Sequence, residues 1–338
     1  MKLSLMIPTF RSGETIERTL ASVLAQEYRP LEVLVYDECS QDATREIVER
    51  LFATADPEIE ARLLTSEHNS GPVRAWRVAL HAITGDWCSF VWADDVLKPS
   101  YSTEMMAGAA RAVEEGHRKI VTCSGEVERD GRVLPYYAAD AGIATPVEYS
   151  EGIFLRRFPI SQICSVYETR TARVVFDRHI EIENPRGFDY ERHPYGNDVG
   201  FLSELAAEGG GVELIGERLV TNVLSSSSMT RRALHDHIWQ HRWQYTFNLY
   251  RVWEWWVARG IPDASRVRDM AERRLALCSL MLGGHGARFR PRLYGKALRA
   301  YAEFRRFDYQ VTHSTLDEHR GRIAARGQGS KQPSHSLT

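Results

Sequence analysis

Four strand-like runs alternate with three helical ones in the first hundred residues, and few architectures accept that order. Lys2 to Ile7 is an apolar strand stopped by Pro8. Ser12 and Gly13 then open a helix to about Gln26, with Ile16, Leu20, Val23 and Leu24 on one face. Leu31 to Tyr36 is the second strand, and Ser40 or Asp42 caps a helix whose inner face is Ile47, Val48 and Leu51. Arg62 to Leu64 is a short third strand. Pro72 to Ile83 is a helix ended by Gly85, and Trp87 to Trp92 is a fourth, aromatic strand. Successive strands joined through helices pair in parallel by right-handed crossovers, so the expectation is a doubly wound, mostly parallel α/β sheet.

Beyond residue 119 the pattern loosens. Lys119 to Cys123 reads as a strand, and Val127 to Val133 around Asp130-Gly131 as a hairpin. Val166 to Phe176 fits strand or short helix equally. Asp198 to Glu208 is a helix ended by three glycines, and Val212 to Leu224 is strand-like. Ser225 to Ser228 reads as a linker. Apolar residues then recur at helical spacing from Leu234 to Trp256, from an Asp263 cap to about Leu282, and from about Leu293 to Phe307. The tail 327–338 is polar and expected to be disordered.

Charge divides the chain at about the same place. Residues 226–338 hold 20 Lys and Arg against 9 Asp and Glu, leaving 23 against 36 in residues 1–225. The acidic first part would repel nucleic acid. The basic, aromatic-rich second part suits packing on the first, a homodimer seam, or an anionic membrane surface. Five scattered cysteines without a C-x-x-C argue against a disulfide framework and a zinc site. Pro8 interrupts the N-terminal apolar run too early for a signal peptide, and no run nears the roughly 18 apolar residues of a membrane span. The expected location is the cytoplasm, with peripheral contact at the inner membrane face as the furthest departure.

Chemistry concentrates where strands end, the edge of an open α/β sheet at which ligands bind. Asp94-Asp95 closes the aromatic strand before Pro99. Adjacent carboxylates repel, so a divalent cation holding a diphosphate would balance them, although an acidic turn capping the next helix is the equal alternative. Asp37-Glu38 ends the second strand, where a carboxylate can accept from the N3–H of a uracil or thymine ring, or merely build a turn with Ser40 and Asp42. Arg74 and Arg77, one turn apart, could reach phosphates or lie solvated. Asp198 follows a Gly/Pro/aromatic loop at a helix start, as a general base, an N-cap, or both. The G-x-G-x-x-G, Walker A, H-E-x-x-H and G-x-S-x-G patterns are absent from the sequence.

Taken in order, these segments resemble the inverting family 2 glycosyltransferases with a GT-A fold. The resemblance rests on Pro8-Thr9-Phe10 and Glu14, the Leu20…Ser22-Val23-Leu24…Gln26 helix and Pro30-Leu31-Glu32. It continues through Asn69-x-Gly71, Thr84-Gly85-Asp86-Trp87, Asp94-Asp95…Pro99, and Phe188-Asp189 with Asn197-Asp198. Trp92 stands where the family carries the first acid of its D-x-D motif, Asn197 where a Glu commonly precedes the base, and Ser225 where a late histidine is often found. The resemblance implies a GT-A domain over residues 1–225 with a nucleotide-sugar-binding, Rossmann-like sheet, followed by an all-α extension over 226–326. It implies that Pro8, Thr9, Phe10 and Asp37 line the nucleotide base with Glu38 beside them, and that Asn69 belongs to the same donor site. Asp94 would hold Mg²⁺ or Mn²⁺ with Asp95 in support, and Asp198 would be the catalytic base. The donor would be a UDP- or dTDP-sugar, and the acceptor a saccharide, lipid-linked or other hydroxyl in polysaccharide or glycoconjugate synthesis. A non-catalytic nucleotide-sugar-binding or scaffold protein on the same fold is the alternative.

Overall fold

The structure, a computed structural model, describes residues 1–137, 139–154, 157–180, 194–224, 238–261 and 263–281. The 225–228 linker, the 293–307 helix, the Phe188-Asp189 motif and the tail lie outside the described residues. The N-terminal half follows the alternation: β1 (Leu3–Thr9), α1 (Ile16–Leu24), β2 (Leu31–Asp37), α2 (Thr44–Phe52), β3 (Ile59–Thr65), α3 (Pro72–Ala82) and β4 (Trp87–Phe90). Next come β5 (Val96–Leu97), α4 (Tyr101–Gly116), β6 (Ile120–Arg129), β7 (Arg132–Tyr137), β8 (Gly142–Ala144) and α5 (Pro146–Phe154). A 3-10 turn at Gln162–Cys164 leads into β9 (Ser165–Glu168), α6 (Thr169–Ile180), α7 (Asn197–Glu208) and β10 (Val212–Val223). Helices α8 (Ile238–Ala258) and α9 (Ala264–Met281) close the described chain.

The strands form one sheet in the order β3-β2-β1-β4-β9-β6-β10-β5, with β7 beside β6 and β8 beside β10. The first four strands pair in parallel, as βαβ crossovers require. Antiparallel β9 then separates β4 from β6, and β6 and β10 pair in parallel again. The carboxyl ends of β1, β2, β3, β4, β6 and β10 therefore share one edge of the sheet, and the amino end of β9 shares it too.

Side chains alternate across the strands and bury both faces. Leu3, Leu5, Ile7, Val33 and Val35 pack with Ile16, Leu20, Val48 and Met105 from α1, α2 and α4. Met6, Leu34, Tyr36 and Phe90 pack on the opposite face with residues of α3, α5, α6, α7 and α8. Trp253 and Trp256 of α8 are buried in that second core, where Trp253 meets Phe154 edge-on at 5.7 Å. The first compact unit runs from Met1 to Ala271, and a second begins at Glu272. No helix among the described residues is long and apolar enough to cross a membrane.

Two local departures from the sequence pattern have clear causes. Helix α1 starts at Ile16 because residues 12–13 are held elsewhere. The Ser12 N–H donates to Thr44 Oγ1 (2.9 Å) and the Gly13 N–H to Asp42 Oδ2 (3.0 Å), fastening this turn to the start of α2. Val166 to Phe176 divides at Glu168: its first part bridges β4 and β6, and the rest is the start of α6.

Buried Glu32 braces the sheet from its opposite end. Its carboxylate accepts from the Ser4 hydroxyl, the Thr84 N–H (2.7 Å) and the Arg62 guanidinium. Burial alone would push its pKa up, but these donors together outweigh burial and hold it below the ordinary value. Glu32→Ala is expected to lower stability by about 2–4 kcal/mol in urea unfolding at pH 7, since it leaves a partly buried guanidinium and an amide without their acceptor. A depressed carboxylate stabilises fully above its unfolded-state pKa and loses that contribution as pH falls through its folded value. The wild-type advantage should therefore shrink under acid.

Candidate active site

Three acidic positions from distant parts of the chain lie along the carboxyl edge of the sheet. The first is at β1 and β2, where Thr9 and Asp37 are register partners. Asp37 is fully buried; Oδ2 receives a long bond from the Ser40 N–H (3.4 Å) and sits 3.9 Å from Arg45. Asp37 Oδ1 and the neighbouring Thr9 Oγ1 are buried with no hydrogen-bond partner among the described residues. A buried carboxylate oxygen without a donor is costly, so this pair suits a ligand that brings an N–H. Pro8 is buried in β1, and Phe10 is 41% exposed with the Arg11 guanidinium over its ring.

Glu38 has a different occupation. It accepts from the Ser70 N–H (2.7 Å) and the Gly71 N–H, tying the loop before α3 to the end of β2. Burial, with a smaller push from the Asp37 charge, raises its pKa despite those donors. Exposed Asn69 folds the same loop by accepting from the Gly71 N–H (3.0 Å), where Gly71 takes a φ of 95°.

The second position follows β4. Trp92 turns inward from the D-x-D position: its ring stacks on Phe90 (5.7 Å) and meets Trp76 (5.2 Å), while Nε1 donates to Ser161 Oγ at 3.1 Å. The two acids after it are not equivalent. Asp95 is buried and accepts from Asn222 Nδ2 (2.6 Å) and the Val223 N–H (2.8 Å), binding the turn to β10. Asp94 is partly buried and receives no hydrogen bond from any other described residue. Burial raises the pKa of both acids, and the Asp94 charge pushes Asp95 further. A hard oxygen donor without a partner among the described residues, next to a second acid, is the chemistry that a Mg²⁺ or Mn²⁺ ion fits. Among the described residues no three His, Cys, Asp or Glu side chains converge as a complete ligand set, so such an ion would need oxygens from a substrate.

The third position is Asp198, the second residue of α7. Gly196 occupies the N-cap with φ 81°, so Asp198 does not cap the helix. A Cβ at Gly196 would lie 2.4 Å from Tyr245 Cα, so the missing side chain lets α8 press against the start of α7. Asp198 Oδ1 accepts from Gln162 Nε2 at 2.8 Å. The helix N-terminus and this bond favour the carboxylate, but burial outweighs them and lifts the pKa to about 6. An acid poised near neutrality can take a proton from a hydroxyl.

Residues 161–162 connect the second and third positions. Gln162 holds Asp198, while Ser161 receives Trp92 Nε1 and, at 3.5 Å, the Asn222 amide that also holds Asp95. Ser161, Gln162 and Asn222 are uncharged residues in irregular or strand-end positions, and sequence reasoning passed over them. Arg74 and Arg77 are both exposed on α3, and Arg77 Nε pairs with Asp177 of α6 at 3.0 Å.

The mostly parallel sheet, with acids at its carboxyl edge, has the GT-A type of architecture. Residues 4–157 match the model of Glycosyl transferase family 2. The succinoglycan biosynthesis protein ExoO of Rhizobium meliloti (strain 1021) is 32% identical over 136 residues, covering 40% of this chain and 37% of the relative. The poly(ribitol-phosphate) beta-N-acetylglucosaminyltransferase TarS of Staphylococcus aureus (strain Mu50 / ATCC 700699) is 32% identical over 124 residues, 36% of this chain and 20% of its own length. The chain thus spans little more than a third of these relatives at most. The solved structure of S. aureus TarS 1–349 with UDP-GlcNAc superimposes with a TM-score of 0.59 at 17% identity, covering 100% of this chain and 95% of that one. The mannosyltransferase PcManGT of Pyrobaculum calidifontis, solved with GDP-Man and Mn²⁺, gives 0.51 at 16% identity over 92% and 83% of the two chains. At those identities the likeness speaks to the fold.

Proposed function

We propose that this chain is an inverting glycosyltransferase that moves a sugar from a UDP- or dTDP-sugar to an acceptor hydroxyl, with Asp198 as general base. The observation that carries the reading is the bonded path from Asp198 through Gln162 and Ser161 to the turn of Asp94 and Asp95. It keeps a near-neutral base at the sheet edge that also bears a carboxylate with no donor among the other described residues. Asp37 Oδ1 and Thr9 Oγ1 support a uracil or thymine ring, whose N3–H is the donor that the buried oxygen lacks. The names of the relatives, in succinoglycan and poly(ribitol-phosphate) glycosylation, favour an acceptor in polysaccharide or glycoconjugate synthesis.

The reaction is a single displacement. Asp198 takes the acceptor proton as that oxygen attacks the anomeric carbon, and the bond to the diphosphate breaks on the opposite face. Asp94 would hold a Mg²⁺ or Mn²⁺ ion, which would supply positive charge against the departing diphosphate. Asp95 fixes the turn that presents Asp94. Residues 1–225 supply every one of these groups, and the helices beyond supply the support of α8 beneath α7.

Thermal-shift titration with UDP, dTDP and GDP, with and without Mn²⁺, tests the donor assignment. UDP or dTDP is expected to stabilise the protein by about 2.7 kcal/mol at a hundred times its dissociation constant, more tightly with Mn²⁺, while GDP does far less. Asp37→Ala should erase that preference. Equal stabilisation by all three nucleotides would contradict the role of Asp37. Binding without any turnover of labelled donor would favour the non-catalytic alternative.

A further inference from the structure

Gln162 is buried completely, yet it sits between two functional stretches and is tied to both. Its Nε2 donates to Asp198 Oδ1 at 2.8 Å, and its Oε1 lies 3.5 Å from the Tyr167 hydroxyl. That hydroxyl in turn accepts the Phe90 N–H (3.2 Å) at the end of β4, so it is fixed to the strand that precedes Trp92. Its neighbour Ser161 accepts from Trp92 Nε1 and Asn222 Nδ2. The amide therefore cannot turn over freely: its oxygen faces a donor and its nitrogen faces a carboxylate. Among the described residues, the other titratable group facing Asp198 is the Tyr167 phenol, which burial keeps neutral by raising its pKa.

We propose that Gln162 is the positioning residue of the base, holding the Asp198 carboxylate at a set place relative to the strand end that carries Asp94. The inference rests on the reading of Asp198 as the base. Gln162 touches no reacting atom; it acts by fixing which oxygen of Asp198 stays engaged and which is left for an acceptor hydroxyl. Ser161, on the adjacent peptide, carries the same constraint to Trp92 and to the Asp95–Asn222 pair. A base held through one hydrogen bond from a buried amide loses orientation when that donor is removed, and a displacement of about 1 Å at such a site can cost roughly 10²-fold in rate.

The test compares Gln162→Met and Gln162→Glu with wild type in two measurements. The first follows the aspartate carboxyl carbons by ¹³C NMR against pH and identifies Asp198 as the resonance lost in Asp198→Asn. Wild type should show it titrating near 6. Gln162→Met removes a donor that favours the carboxylate, so the midpoint should move to higher pH. Gln162→Glu sets a second acid against it, and the midpoint should move further. The second is turnover of labelled UDP- or dTDP-sugar, whichever the thermal-shift titration selects. In Gln162→Met, kcat should fall about 10²-fold with little change in KM for the donor. A wild-type titration midpoint in a folded variant of either kind overturns the inference, as does unchanged kcat. If Gln162→Met does not fold, Gln162→Glu, which keeps the side-chain length, decides alone. Full turnover by Asp198→Asn would remove the base assignment itself. An inactive Asp198→Asn beside a wild-type-like Gln162→Met would remove only the role of Gln162.

Discussion

Asp198→Asn is expected to lower kcat by about 10²–10⁴-fold, the range that general-base assistance contributes, with the donor KM nearly unchanged. The amide is isosteric with the carboxylate and keeps an oxygen for the Gln162 Nε2–H, so the helix start should keep its form. Because burial raises the Asp198 pKa to about 6, the ionised side chain disfavours the folded state above that pH. The variant should therefore melt at the same temperature as wild type or higher at pH 7–8. Only the deprotonated base is active, so wild-type kcat/KM should decline as pH falls through about 6. That acid limb should be missing from the residual activity of Asp198→Asn. A variant that keeps the limb would place the titrating group elsewhere.

Asp94→Ala is expected to cost about 10³-fold or more in kcat/KM and to abolish the effect of Mn²⁺ on UDP affinity, since cation stabilisation of a leaving diphosphate is worth several kcal/mol. Its stability should change little, because Asp94 takes no hydrogen bond from any other described residue. Asp95→Ala should behave in the opposite sense. It strands the buried Asn222 amide and the Val223 N–H, each now bonded to Asp95, and should lower stability by about 1–3 kcal/mol. Calorimetric titration of UDP with and without Mn²⁺, alongside urea unfolding of both variants, separates the two roles. Normal metal dependence in a folded Asp94→Ala would refute its assignment.

The contrast between these neighbours shows where sequence reading stops. Adjacency revealed an acidic pair at a strand end, but which acid is engaged by the protein depends on Asn222 and Val223, more than a hundred residues away. The first four strands were legible because their period and turn residues are local, and the register of Thr9 beside Asp37 follows from parallel pairing. Helix α5 was legible and missed. Thr145 and Glu148 form a reciprocal capping box around Pro146 at the first helical position, a pattern visible in four consecutive letters. Arg77 carried the opposite risk. Its spacing from Arg74 put both on one face, yet Asp177 of α6 pairs with Arg77, and no local pattern announces that partner. Gln162 and Ser161 carry no charge, period or motif; only the tertiary arrangement makes them a bridge. The division between strand and helix at Glu168 likewise comes from β9 filling the gap between β4 and β6, a tertiary demand.

A crystal structure of the protein with UDP and Mn²⁺ tests most directly whether these acids serve one substrate. The uracil edge should meet Asp37 Oδ1 and Thr9, the ion should bind the Asp94 carboxylate and the diphosphate, and Asp198 should border the space beyond the terminal phosphate. UDP seated away from Asp37, or Mn²⁺ on other acids with Asp198 outside the same space, would contradict it.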